Sequence, residues 1–283
     1  MGELPISVII LTKNSEATIR QCIESVYHSN PQEIIVVDGY STDGTLDIVK
    51  QYTDNIYFDE GKGLCYARQL GAEAATGEYV AYVDSDIVLP PDTLETMLAE
   101  LKTNGYGAIT ARELIRGATG YLGWAKTRYK NVISPDCVGE TGVIPMRATI
   151  FPRELILKYK FDLSMPNSDG SSIGYRLSRA GYKFGMSSVF AHHYHPLGRK
   201  GRPHYWEGVA AAEFLLKHKG SLAIVTRYTL GTLGNPVYRL LKSVAKGDLR
   251  LIPYFIYVFL MVTAGFIGKM FAALVSPLKR AKS

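Results

Sequence analysis

The chain has 283 residues, a formal net charge of +6, a hydrophobic fraction of 47% and 19 tyrosines. These values exclude a disordered or low-complexity protein and allow one or two domains with a substantial core. Residues 1–190 carry 18 Lys and Arg against 23 Asp and Glu, a net −5, whereas residues 191–283 carry 14 against 3, a net +11. A rear part that is both basic and apolar suits an anionic membrane surface, and its apolarity argues against nucleic acid as a partner.

Three widely spaced cysteines, Cys22, Cys65 and Cys137, form no CxxC pair and no zinc spacing, and read as reduced thiols. Met1-Gly2-Glu3-Leu4-Pro5 has neither the basic region nor the apolar run of a signal peptide, and it lacks the myristoylation pattern.

Ile6 to Leu11 is a short apolar run rich in β-branched residues, as a buried strand requires. Thr12-Lys13-Asn14-Ser15 supplies turn and cap residues, and Ile19, Cys22, Ile23 and Val26 recur at helical spacing behind them. Ile34 to Val37 is a second strand, ending in the polar loop Asp38-Gly39-Tyr40-Ser41-Thr42-Asp43-Gly44-Thr45. A helix through Leu46, Ile48, Val49 and Tyr52 leads to a third strand, Ile56-Tyr57-Phe58, and a helix from Cys65 to Ala75 follows, closed by Gly77. The fourth strand, Tyr79 to Val83, runs into Asp84-Ser85-Asp86.

Strand and helix alternate three times before that fourth strand, the pattern of a parallel sheet with helices on both faces. Ligands of such sheets bind beyond the carboxyl ends of the strands. Thr12 and Asn14, Asp38, and Asp84 with Asp86 all fall at that rim. Asp84-Ser85-Asp86 reads in two ways. It is a turn, since Asp and Ser favour turns, or it is a pair of carboxylates that needs a cation, and hard oxygens suit Mg2+ or Mn2+.

The ordered set Thr12-Lys13-Asn14, Asp38 to Thr45, Arg68-Gln69-Leu70-Gly71-Ala72 and Asp84-Ser85-Asp86 resembles the family 2 glycosyltransferases of the GT-A fold, over roughly residues 5–200. Gln69 stands where many members have Asn. The resemblance implies a Rossmann-like, mostly parallel α/β sheet flanked by helices. It implies that Thr12, Asn14 and Asp38 hold the nucleoside of a sugar donor, and that Lys62 and Arg68 lie near the base or diphosphate. It also implies that Asp84 contacts the donor and, with Asp86, binds Mg2+ or Mn2+. It further implies inversion at the anomeric carbon.

Thr93 to Leu101 is an amphipathic helix. Residues 103–135, with Gly117, Gly120 and Gly123 among Tyr121, Trp124 and Tyr129, suggest loop or short helices around an acceptor. Thr141 to Thr149 resembles the family's segment returning to the sheet, and a helix from Arg153 to Tyr159 follows. Tyr175 to Tyr182 resembles the family's helix after an acidic catalytic pair, but the usual Glu-Asp is missing and Asp169 alone remains near the helix start. Asp169 is then either the base or a plain N-terminal capping residue. Ser187 to Ala191 reads as a last strand or edge segment, running into His192-His193-Tyr194-His195. The family often carries a histidine near its metal, and His192 is the match taken; the other reading is a hydrogen-bonded surface histidine. Arg199, Lys200 and Arg202 suit phosphate or a membrane surface.

Val209 to Leu216 begins an apolar helix, and Leu222 to Val244 is basic and amphipathic, broken by Pro236. Leu251 to Gly268 has eighteen residues without a charge, enough for one crossing; Pro253, Gly265 and Gly268 equally allow a membrane hairpin, and a soluble core helix is the third reading. The expected organisation is a glycosyltransferase domain over 1–218, juxtamembrane helices over 219–250 and a transmembrane segment or hairpin over 251–276. The expected partners are a nucleotide sugar, a lipid-linked acceptor and the membrane, with the catalytic domain facing the cytoplasm. A glycosyltransferase-like membrane scaffold without turnover, or a sugar nucleotidyltransferase, is the alternative. The latter usually has a glycine-rich loop after its first strand, which Leu11 to Ser15 lacks.

Overall fold

In the first strand, β1 (Leu4–Thr12), side chains alternate between two cores, and this alternation organises the front of the molecule. Ile6, Val8 and Ile10 join one buried cluster, and Ile9 and Leu11 join the other. The same alternation runs through β2 (Pro31–Asp38) and β4 (Tyr79–Asp84), as expected of strands covered on both sides. The computed structural model describes residues 3–133, 137–165, 168–194, 203–217 and 236–280.

Helices α1 (Glu16–Tyr27), α2 (Thr45–Val49) and α4 (Thr93–Asn104) cover the first face through Ile19, Cys22, Ile23, Val26, Val49, Leu94, Met97 and Leu98. Helices α3 (Leu64–Ala74), α6 (Arg153–Tyr159) and α7 (Asp169–Arg179) cover the second through Cys65, Ala67, Ala72, Leu155, Ile156, Ile173 and Leu177. Cys22 and Cys65 are buried, Cys137 is exposed, and none is in a disulfide.

Nine strands form one mixed sheet, with β3 (Ile56–Phe58), β5 (Ile87–Val88), β6 (Ala108–Arg116), β7 (Gly139–Thr141), β8 (Ala148–Pro152) and β9 (Phe184–Tyr194) completing it. The order is β3-β2-β1-β4-β8-β6-β9-β5, with β7 paired to β9. The first four strands in that order are parallel; β8 enters antiparallel to β4 and β6, and β6 and β9 are parallel to each other. The sheet is thus GT-A-like, and its far half is mixed where the expectation was mostly parallel.

Two elements differ from the sequence reading. Strand β6 runs through a stretch read as loop or short helices, because Arg112 and Glu113 interrupt its apolar pattern. Strand β9 is an eleven-residue strand paired on both sides, where an edge segment was the other reading.

The chain divides into two compact units, residues 1–119 with 134–197 and residues 120–133 with 198–283. Residues 120–133 thus group with the C-terminal helices. In this second unit α5 (Gly120–Arg128) is followed by a π-helical turn, Tyr129–Ile133, then by α8 (Pro203–Lys217), α9 (236–245) and α10 (Ile252–Arg280). Ala125, Tyr129, Leu251, Tyr254, Phe255, Val258 and Val262 form its core. Arg128 Nε donates to Asp248 Oδ2 at 2.8 Å, tying α5 to the turn before α10.

Helix α10 runs as one continuous helix from Ile252 to Arg280. Pro253 stands in its first turn, where no intrahelical donor is lost. Gly265 admits α8, for a Cβ there would sit 1.9 Å from the Tyr205 carbonyl oxygen. The stretch Leu249–Ala273, whose most apolar eighteen-residue window has a mean hydropathy of 2.0, is the one helix among the described residues long and apolar enough to cross a membrane. Residues 222–235 of the basic amphipathic segment lie outside the described residues, and 236–245 are helical.

Candidate active site

The carboxyl ends of β1, β2 and β4 lie side by side, with Thr12 opposite Asp38 and Leu11 opposite Asp84. The loops leaving β1, β2 and β3 each hold a non-glycine residue in left-handed backbone two positions past the strand: Asn14 (φ 48°), Tyr40 (φ 61°) and Glu60 (φ 51°). Such conformations cost about 1–2 kcal/mol each and persist only where the surroundings hold them.

The hydrogen bonds of the first two loops do this. Asn14 N donates to Ser41 Oγ at 2.8 Å, and Thr42 N donates to Asn14 Oδ1 at 2.8 Å. Asp38 is fully buried, its Oδ2 accepting from Ser41 N at 2.7 Å and its Oδ1 from Ser41 Oγ at 2.6 Å. Asn14 and Asp38 thus both organise the loop. Above them Tyr40 and Phe58, both exposed, stack with centroids 5.3 Å apart. Thr12 Oγ1 is buried at the end of β1 and has no hydrogen-bond partner among the described residues.

Arg68 is the centre of the site. It rises from the first turns of α3, whose Gly71 allows close approach to β1, since a Cβ there would lie 2.5 Å from Ile9 Cγ2. The side chain is 3% exposed. Its Nε donates to Asp169 Oδ2 at 2.5 Å and its Nη2 to Asp84 Oδ1 at 3.0 Å. Tyr82 Oη donates to the Arg68 carbonyl at 2.9 Å, and the guanidinium lies 5.2 Å over that ring. Nη1 is buried without a partner among the described residues. Burial disfavours the Arg68 charge, but Asp169 and Asp84 outweigh it, so the guanidinium is held protonated. Burial and the neighbouring Asp86 charge push the Asp84 carboxyl up, against the opposing pull of Arg68.

Asp169 occupies the first turn of α7, where the sequence placed it. Its Oδ1 accepts from Gly170 N at 2.8 Å while Oδ2 faces Arg68. Gly170 is required there, because a Cβ would lie 2.4 Å from the Ile144 carbonyl oxygen. Lys62 is exposed on the loop before α3, paired with Glu60 and lying over the Tyr66 ring.

The histidine beside Asp86 is His193, where the sequence reading had chosen His192. Register decides this. Glu113 of β6 is opposite Ala191 of β9, so the residue two on, His193, shares their face, and His192 points the other way with Leu114. His193 Nε2 lies 3.2 Å from Asp86 Oδ2, and Nδ1 lies 2.5 Å from Glu113 Oε1. Burial opposes the His193 charge, but the bonds to Asp86 and Glu113 prevail and raise its pKa. His192, half-buried, is held lower by burial and by Arg116. The sequence reading missed Glu113 altogether. Arg199, Lys200, Arg202 and His195 lie outside the described residues.

A divalent cation fits this donor set. Asp84 and Asp86 crowd two carboxylates at one strand end, and Asp86 has an imidazole beside it. Among the described residues no group of three or more His, Cys, Asp or Glu side chains is placed to hold a metal ion by itself.

The fold and this acidic rim define a GT-A-type α/β protein. The profile of the glycosyl transferase family 2 matches residues 7–174, and the chain belongs to that family. Over 100 residues, 33% of the chain, it is 36% identical to YibD of Escherichia coli K12, an uncharacterized glycosyltransferase. It is 40% identical over 101 residues, again 33% of the chain, to TuaG of Bacillus subtilis 168, named as a candidate teichuronic acid biosynthesis glycosyltransferase. The matched stretch spans 29% and 40% of those relatives' own lengths. Among solved structures, the mannosyltransferase PcManGT of Pyrobaculum calidifontis, in complex with GDP-Man and Mn2+, superimposes with a TM-score of 0.66 at 18% identity, covering 95% of this chain and 88% of that one. TarS of Staphylococcus aureus, residues 1–349 in complex with UDP-GlcNAc, does so with a TM-score of 0.56 at 18% identity, covering 94% and 89%. At that identity the likeness is one of fold.

Proposed function

We propose that the protein is a metal-dependent, inverting hexosyltransferase that moves a sugar from a nucleotide-sugar donor to a lipid-linked acceptor, a polyprenyl or dolichyl phosphate or a lipid-linked saccharide. The observation that carries this reading is the buried guanidinium of Arg68 joining Asp84, the first carboxylate of the acidic pair, to Asp169 at the start of α7. It links the donor side of the site to the residue proposed as base.

In this reading Thr12, Asn14 and the Asp38 loop hold the nucleoside, with the vacant Thr12 Oγ1 and Arg68 Nη1 as donor-facing groups and Lys62 reaching the diphosphate from outside. Asp84 and Asp86, with His193 in the role first given to His192, would hold Mg2+ or Mn2+. The cation, when bound, offsets charge developing on the leaving diphosphate. Asp169 accepts the acceptor hydroxyl proton through the carboxylate that also meets Arg68. An acceptor that is already a phosphate needs no strong base, which suits the lone carboxylate here.

The membrane reading rests on α10 and on the exposed apolar residues of α9 and α10, including Val237, Leu241, Leu260, Ile267 and Phe271. The catalytic unit then faces the cytoplasm, where nucleotide sugars are made.

The test is release of nucleoside diphosphate by the purified full chain, across a panel of nucleotide sugars with Mn2+ and polyprenyl phosphate. Acceptor-dependent release that disappears in EDTA and in Asp86→Ala is the expected result. Donor binding without turnover across the panel would favour the scaffold reading, which the Arg68 bond to Asp169 makes physically reasonable.

A further inference from the structure

Beneath the acidic pair lies a buried side chain that the family motifs do not include. Glu113, on β6, is 5% exposed, a position at which a carboxylate persists only with partners. One oxygen, Oε1, lies 2.5 Å from His193 Nδ1; the other, Oε2, lies 3.3 Å from Arg147 Nη1. The His193 side chain meets one member of the acidic pair, and the backbone of Arg147 meets the other. The other ring nitrogen of His193 lies 3.2 Å from Asp86 Oδ2, and the carbonyl of Arg147 accepts from Asp84 N at 2.8 Å. The backbone of β9 adds a further tie, with Tyr194 N donating to the Asp86 carbonyl at 2.8 Å.

We propose that Glu113 is a positioning residue for the cation site: by fixing the His193 ring beside Asp86 and pairing with Arg147, whose backbone bonds to Asp84, it holds Asp84 and Asp86 in the geometry that receives a divalent metal. This rests on the metal-dependent reading above. By meeting Nδ1, the Glu113 carboxylate fixes the ring so that Nε2 faces Asp86; a carboxylate behind an imidazole is an arrangement that tunes a metal site from outside its ligand shell. The register explains how it is built, since Glu113, Ala191 and His193 lie on one face of the paired strands.

The experiment is a titration of Mn2+ followed by electron paramagnetic resonance on the full chain, alone and with UDP or GDP, beside thermal melts of each variant. Glu113→Gln keeps the shape and removes the charge. It is expected to weaken Mn2+ binding about 10–100-fold, the range found when such outer partners are changed, with donor KM measured at saturating Mn2+ little altered. Glu113→Asp keeps the charge and is expected to recover part of the affinity. If Glu113→Gln melts before it can be titrated, Glu113→Asp and Arg147→Met carry the test, and Mn2+ affinity within twofold of the parent in both overturns the proposal. A folded Glu113→Gln chain that binds Mn2+ as the parent does overturns it while leaving the metal reading intact. A parent chain that takes up no Mn2+, with or without nucleotide, overturns both.

Discussion

Arg68 Nε lies 2.5 Å from Asp169 Oδ2 across 101 residues of sequence, and the same guanidinium reaches Asp84 with Nη2 at 3.0 Å. A planar fork with fixed donors can satisfy two carboxylates at once; an ammonium is a single point charge. Removing one partner of a buried ion pair costs about 3–5 kcal/mol. Arg68→Met is therefore expected to lower stability by about 3 kcal/mol, discounted for the partial exposure of Asp84. Arg68→Lys should recover less than half of that. Urea denaturation of the purified variants measures both, and a loss under 1 kcal/mol in Arg68→Met would show that the bridge is weak in solution.

Asp169→Asn separates its two candidate roles. If the carboxylate takes the acceptor proton, turnover falls about 10²–10⁴-fold, the usual contribution of a general base. Affinity for the nucleotide sugar, measured by calorimetry, should change little. Retained turnover would reduce Asp169 to an anchor for Arg68 at the head of α7.

Glu33 provides a pH-dependent prediction away from the site. Its burial raises the carboxyl pKa, but Ser7 Oγ at 2.6 Å, Thr76 Oγ1 at 2.6 Å and Thr76 N at 2.7 Å all donate to Oε1, and the net effect is a lowered pKa. A depressed carboxylate stabilises the fold above its unfolded pKa, about 4.3, and that contribution disappears as pH falls through the lower folded value. Glu33→Gln should cost about 1 kcal/mol at pH 7, allowing for screening at a partly exposed group. The difference from the parent should shrink steadily below about pH 4. Equal differences at pH 7 and pH 3.5 would contradict this.

In the second unit, Gly265→Ala places a methyl group against the Tyr205 carbonyl, 1.9 Å from the unrelaxed oxygen. Helices α8 and α10 must then separate, straining the bond of 3.0 Å between Lys269 Nζ and the buried Glu213 Oε1. Overpacking of this kind costs about 1–3 kcal/mol. Melting in detergent should fall by several degrees in Gly265→Ala and hardly at all in Ile267→Ala, an exposed position on the same helix.

Much of the front half was legible from residue order alone, for a local reason. Where strands are covered on both faces, their apolar runs and the polar residues that stop them are adjacent in sequence, so Thr12, Asp38 and Asp84 could be assigned to one rim without coordinates. Asp169 at a helix start was legible in the same way. Strand β6 was not, because Arg112 and Glu113 break its apolar run, and the groups that make Glu113 acceptable there, His193 and Arg147, are remote in sequence. The choice between His192 and His193 was likewise beyond local pattern: adjacent strand residues face opposite ways, and only the pairing of β6 with β9 says which one meets Asp86. The length and apolarity of α10 were written in its composition. That it packs through Gly265 against Tyr205 of α8 was not. Sequence determined the kinds of groups at the rim, because strand ends are set locally; tertiary structure decided which of them touch, because charge pairing and register act between distant segments.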